Sequence, residues 1–78
     1  MAGAVPSEQR MANQIAANFR HMPEDTAAEA VAGHVGRFWD PRMRARLFAL
    51  VDAGTEGLDP VVVAAARLLR EPQGSAAG

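Results

Sequence analysis

Apolar residues recur along this chain at helical spacing and nowhere alternate over the length of a strand. After Ser7, the residues Met11, Ile15, Phe19 and Met22 follow at steps of four, four and three, one apolar stripe on a helix that reaches about His21. Asn13, Ala17 and Arg20 fall on its opposite side, and Ser7 is the expected N-cap. The break at Met22-Pro23-Glu24-Asp25 ends it, because a residue before proline avoids helical angles. A second stripe, Ala27, Val31, Val35 and Phe38 with His34 at its edge, opens with the capping-box pattern Thr26-Ala27-Ala28-Glu29. A third helix is predicted from Pro41 to about Ala53, with Met43, Leu47, Leu50 and Val51 inward and Gly54 as its stop. In the fourth, Asp59 is the N-cap and Pro60 the first residue, Leu58 and Val63 are placed for a hydrophobic staple, and Glu71-Pro72 ends it.

The fold class is therefore all-α, a small compact bundle of three to four short helices. Seventeen alanines, no tyrosine and few β-branched residues agree with that reading. Residues 1–6 read as a flexible lead-in, 7–71 as a single helical domain and 72–78 as a flexible Gly/Ser/Ala tail. On the second helix, Ala32, Gly33 and Gly36 lie opposite the stripe. Each interior glycine costs roughly 1 kcal/mol relative to alanine, so either another backbone comes close there or the helix is weak.

The densest information sits at Phe38-Trp39-Asp40-Pro41-Arg42-Met43-Arg44. Asp40 as N-cap and Pro41 at the first helical position make a corner, with two aromatics before it and arginines after it. Trp39, the single tryptophan, is either a core anchor or a contact for a partner. Arg42 and Arg46 stack one turn apart on one face, while Arg44 and Phe48 pair on another. Phe48 lies off the main stripe, so it packs sideways on a neighbouring helix or faces a partner, with a cation–π contact to Arg44 in reach. Trp39, Arg42, Arg44, Arg46 and Phe48 are the partner-contact candidates, an aromatic set beside a basic one.

Composition narrows the chemistry. A chain of 78 residues builds one small core, rarely worth more than about 3–5 kcal/mol by itself. With no Cys, disulfides, thiolate metal sites, iron–sulfur ligation and a thiol nucleophile are all excluded, leaving a partner protein as the expected support. The net charge is −1, which gives no overall pull toward nucleic acid or an anionic membrane. All eight basic residues are arginine; a GC-rich genome alone produces that bias, and arginine is also the better interface cation. No apolar run reaches the length of a membrane span and no signal-peptide layout opens the chain, so it reads as cytoplasmic. His34 beside an apolar stripe reads as a core residue rather than a metal ligand. Asp40 and Asp59 each precede proline at a helix start, so capping accounts for both. No catalytic, cofactor-binding or metal residue is assigned.

Three strings occur in order: Met11-Ala12-Asn13-Gln14-Ile15, the corner Phe38-Trp39-Asp40-Pro41-Arg42-Met43-Arg44, and Gly57-Leu58-Asp59-Pro60. Over about Arg10 to Leu69 the chain resembles the delta subunit of the cytosolic, NAD-dependent, molybdenum-containing formate dehydrogenases. The corner carries most of that resemblance, because tryptophan is rare and the string is unusual. The resemblance implies a non-catalytic subunit of a hetero-oligomer, with the alpha subunit as its partner. Molybdopterin, iron–sulfur clusters and FMN are then expected on other subunits and none on this chain. Stabiliser, assembly factor and cofactor-insertion helper all remain open. Two other classes stand beside it. An arginine-rich third helix superficially resembles a helix-turn-helix DNA-binding regulator, against which stand the −1 charge and the absence of lysine. The small-residue face of the second helix leaves room for a self-assembling module.

Overall fold

The computed structural model describes residues 5–70 and contains four helices in the order α1 (Ser7–Asn18), α2 (Glu24–Phe38), α3 (Pro41–Asp52) and α4 (Pro60–Arg70). Among the described residues there is no strand. The first four residues of the lead-in, the stop at Glu71-Pro72 and the 72–78 tail lie outside the described residues.

Both N-terminal helix starts differ from the capping pattern in the sequence. Ser7 is not the cap of α1; Pro6 is, at φ −55° and ψ 143°, with no side-chain cap. Thr26 is not the cap of α2 either. Pro23 takes that place at φ −54° and ψ 149°, and the helix begins three residues early, at Glu24. In each case proline presets the extended angles of a cap, and acids in the first turn (Glu8; Glu24 and Asp25) face the positive end of the helix dipole. At the other end α1 closes at Asn18 rather than His21. The chain tightens there into shorter-range bonds, Phe19 N–H donating to Ala16 O at 3.0 Å and Arg20 N–H to Ala17 O at 3.3 Å.

The last two helices follow their caps. Asp40 Oδ1 accepts from Met43 N–H at 2.8 Å, and Pro41 opens α3. Gly54 ends α3 at φ +66°. Its N–H donates to Val51 O and that of Thr55 to Leu50 O, both at 3.1 Å, the paired bonds of a Schellman stop. Asp59 Oδ1 accepts from Val61 N–H at 2.9 Å and starts α4.

Alanine dominates the interior. Ala12, Ala16, Val31, Ala32, Val35, Trp39, Leu47, Val62 and Ala65 form one buried cluster, with Ile15, Phe19, Met43, Leu58 and Leu68 packed on its margin. Helices 2 and 4 are the main packing pair, and α1 and α3 lean on them. Small side chains permit close helix approach but bury little area each, so a few large residues carry much of the apolar burial. The stripe of α1 is accordingly rotated from the one its large residues trace. Ala12 and Ala16 are buried, whereas Met11 is 39% exposed. The stripe of α2 holds at Ala27, Val31 and Val35 but ends there, because Phe38 is 66% exposed. At Gly36 a Cβ would sit 3.3 Å from Leu69 Cδ2, so this glycine admits a side chain of α4 rather than a backbone; a Cβ at Gly33 would point into open space.

Trp39, 5% exposed, is the largest member of that cluster. Trp39→Ala is expected to lose about 3–5 kcal/mol, comparable to everything a core of this size supplies. The isolated variant should lack a cooperative thermal transition by far-UV circular dichroism. A transition within a few degrees of wild type would show that Trp39 does not hold the core.

Candidate functional site

The corner between α2 and α3 resolves the two readings of Trp39: its ring closes this domain's own core. Phe38 is the last residue of α2, and Trp39 is its C-cap, with extended backbone at φ −93° and ψ 139°. The indole faces the core, and Phe38 turns outward. One turn back, the exposed His34 ring lies against Phe38 with centroids 4.8 Å apart and planes tilted by 43°.

The arginines after the corner divide by task. Arg44 is half-buried, and its guanidinium donates to the Trp39 carbonyl oxygen, satisfying an acceptor that the end of α2 leaves open. The cation–π contact expected between Arg44 and Phe48 is therefore not the one formed. Phe48 is half-buried, with the Arg70 guanidinium 5.2 Å from its centroid, and Arg70 also pairs with Asp52 at 2.6 Å. So Phe48 packs sideways, toward α4. Arg46 Nη1 donates to Glu8 Oε2 at 3.1 Å, tying α3 to α1; the Glu8 side chain is 11% exposed and that of Arg46 62%. Arg42 is exposed and, among the described residues, makes no ion pair.

A second constellation escaped the sequence reading. Asn13, placed there on the outer side of the first helix, reaches the loop between α3 and α4. Its Nδ2 donates to Gly57 O at 2.7 Å and its Oδ1 accepts from Asp59 N–H at 3.0 Å. One turn earlier, the buried Gln9 donates through Nε2 to Glu56 O at 3.0 Å. The i, i+4 spacing of two amides was the available signal. Gly57 completes the clamp: at φ +91°, with a hypothetical Cβ only 2.8 Å from Gln9 Nε2, no other residue fits without displacement.

Chemically the site offers contact rather than bond-making groups. Asp40 and Asp59 are both engaged as caps. Among the described residues no three His, Cys, Asp or Glu converge as a metal site. A groove of about 450 Å³ between α2 and α4 is lined by Glu29, Ala32, Gly33, Leu68 and Leu69, with no acid–base pair. No helix of the described residues is long and apolar enough to cross a membrane.

The chain is a short four-helix, all-α domain, with Glu8, Asp40, Asp52 and Asp59 used in caps and ties and an aromatic–basic corner at its surface. The family model of the NADH-dependent formate dehydrogenase delta subunit FdsD matches residues 10–66, and the chain belongs to that family. The match contains the corner and the Asn13, Gly57 and Asp59 part of the clamp, while Gln9 lies just before it. As a subunit of a formate dehydrogenase, it is part of a hetero-oligomeric assembly. No curated protein and no solved structure matches the chain.

The clamp yields a graded expectation for urea unfolding. Gly57→Ala combines left-handed strain with a clash and should cost about 1–3 kcal/mol. Asn13→Ala strands a backbone N–H and should cost about 1–3 kcal/mol. Arg20→Ala removes only a 3.5 Å pair to Asp59 from a side chain that is 74% exposed and should cost under about 1 kcal/mol. Equal costs for all three would contradict the clamp.

Proposed function

We propose that this chain is a non-catalytic accessory subunit that binds the alpha subunit of its formate dehydrogenase and stabilises it or assists its assembly. Membership of the delta-subunit family is the observation that carries this reading. The docking face runs over the start of α3, where Arg42 and the exposed head of Arg46 meet carboxylates of the partner. Trp39, Arg44 and Phe48 position that face: the indole fixes the corner, Arg44 closes the end of α2, and Phe48 seats α3 against α4.

In this reading molybdopterin, the iron–sulfur clusters and FMN reside on the other subunits. The donor set here does not fit a cluster, since the chain has no Cys and its two histidines, His21 and His34, are both exposed. No observation favours a DNA-binding alternative. Two of the three arginines at the start of α3 are engaged within the chain, Arg44 with the Trp39 carbonyl and Arg46 with Glu8.

The test is a pull-down with the chain tagged at its C-terminus, the bound proteins being identified and assayed for formate-dependent NAD reduction. Recovery of a molybdenum- and flavin-containing complex in fixed ratio is expected for a resident subunit. Recovery of cofactor-free alpha subunit alone would assign the chain to maturation. Recovery of neither overturns the proposal.

A further inference from the structure

The last turn of α2 carries a surface that the fold itself does not use. Phe38 is the most exposed of the large hydrophobic side chains, at 66%, more than Val5 or Met11. It stands against the exposed His34 ring, so the two rings present one continuous aromatic edge. Arg37 flanks them on the same turn and Arg42 follows just past the corner; both are exposed. Elsewhere the guanidinium groups of Arg20, Arg46 and Arg70 each meet a carboxylate, and that of Arg44 meets the Trp39 carbonyl. Among the described residues Arg37 and Arg42 meet none, as is also true of Arg10 and Arg67, which lie on α1 and α4.

The charge around this edge is one-sided. Between Ala30 and Val51 the sequence holds four arginines, Arg37, Arg42, Arg44 and Arg46, and one acid, Asp40, whose carboxylate is held by Met43 N–H. Arg46 meets Glu8 from α1, which leaves Arg37 and Arg42 as the cations of the edge. The acids of α2, Glu24, Asp25 and Glu29, lie toward its opposite end. An aromatic flanked by arginines is the composition of an interface hot spot, and a partner must supply apolar depth for the ring and carboxylates for the cations. The surface is also continuous in sequence with the α3 face through Arg42.

We infer that the His34–Phe38 edge, with Arg37 and Arg42, is a docking knob for an apolar pocket rimmed by Asp and Glu carboxylates on another subunit of the formate dehydrogenase. This rests on the accessory-subunit reading and extends it to α2, which that reading leaves unassigned. Phe38 enters the pocket; the arginines pair with its rim and set orientation and association rate.

The experiment measures binding of the full-length chain to formate dehydrogenase prepared without it, by surface plasmon resonance at low and moderate salt. Phe38→Ala is expected to weaken binding by about tenfold or more, while its thermal unfolding stays close to wild type, since the ring is exposed. Arg37→Glu with Arg42→Glu should weaken binding and remove most of the salt dependence of association. Met11→Ala, on another exposed hydrophobic, should bind as wild type does. Wild-type binding with Phe38→Ala unchanged overturns the docking knob and leaves the subunit reading standing. No wild-type binding overturns both. A homodimer in sedimentation that Phe38→Ala dissolves, with subunit binding unaffected, would assign the edge to a second copy and overturn the inference.

Discussion

The geometry of this domain depends on the burial of Trp39 at the turn between α2 and α3, because one indole there settles three things at once. It supplies the largest apolar group to a core otherwise built mainly of alanine and valine. It takes the inward place at the end of α2, where the adjacent Phe38 stands outward. It also places the Trp39 carbonyl where Arg44 can cap it, so the corner is tied from both sides: Asp40 holds the start of α3 and Arg44 holds the end of α2. What the corner presents outward, Phe38 and two unpaired arginines, follows from what it hides.

The rest of the bundle shows how an alanine-rich core is kept in register. Helices 2 and 4 pack closely because their contact positions are small, with Leu69 fitting over Gly36. Close packing of small side chains is weakly directional, and polar ties supply the direction. Gln9 and Asn13 on α1 hold the 56–59 loop, and Glu8 on the same helix meets Arg46 of α3. Helix 1 thus acts as a strap, its inner face apolar and its margins hydrogen-bonded to the two elements that follow the corner.

Features encoded over four or five residues were legible in the sequence: the caps Asp40 and Asp59, the Gly54 stop, and the inward faces Val31-Val35 and Leu47. Proline overrode the side-chain caps expected at Ser7 and Thr26, because a ring that presets φ starts a helix without an acceptor. The stripes failed where size was taken for depth. Met11 and Phe38 are larger than Ala12 and Trp39's other neighbours, yet close helix contact selects alanine on α1, and the indole displaces the phenylalanine on α2. The Gln9–Asn13 clamp joins positions more than forty residues apart and leaves no local trace beyond two amides at helical spacing. For the candidate contacts, the sequence brought the aromatic and basic residues to one corner but could not divide them by task. Arg44 and Phe48 face inward work, whereas Phe38, read as core, is the exposed ring.

A subunit that displays one aromatic edge beside unpaired arginines is suited to seat on a larger protein, while Glu8, Asp40, Asp52 and Asp59 are engaged within its own fold. The most direct measurement is a hydroxyl-radical footprint of the chain alone and in its formate dehydrogenase complex, read residue by residue by mass spectrometry. The account requires that Phe38 and His34 label strongly in the free chain and lose that labelling in the complex, while Met11 labels equally in both. Protection of Met11 with Phe38 still fully labelled would place the interface on α1 and contradict it.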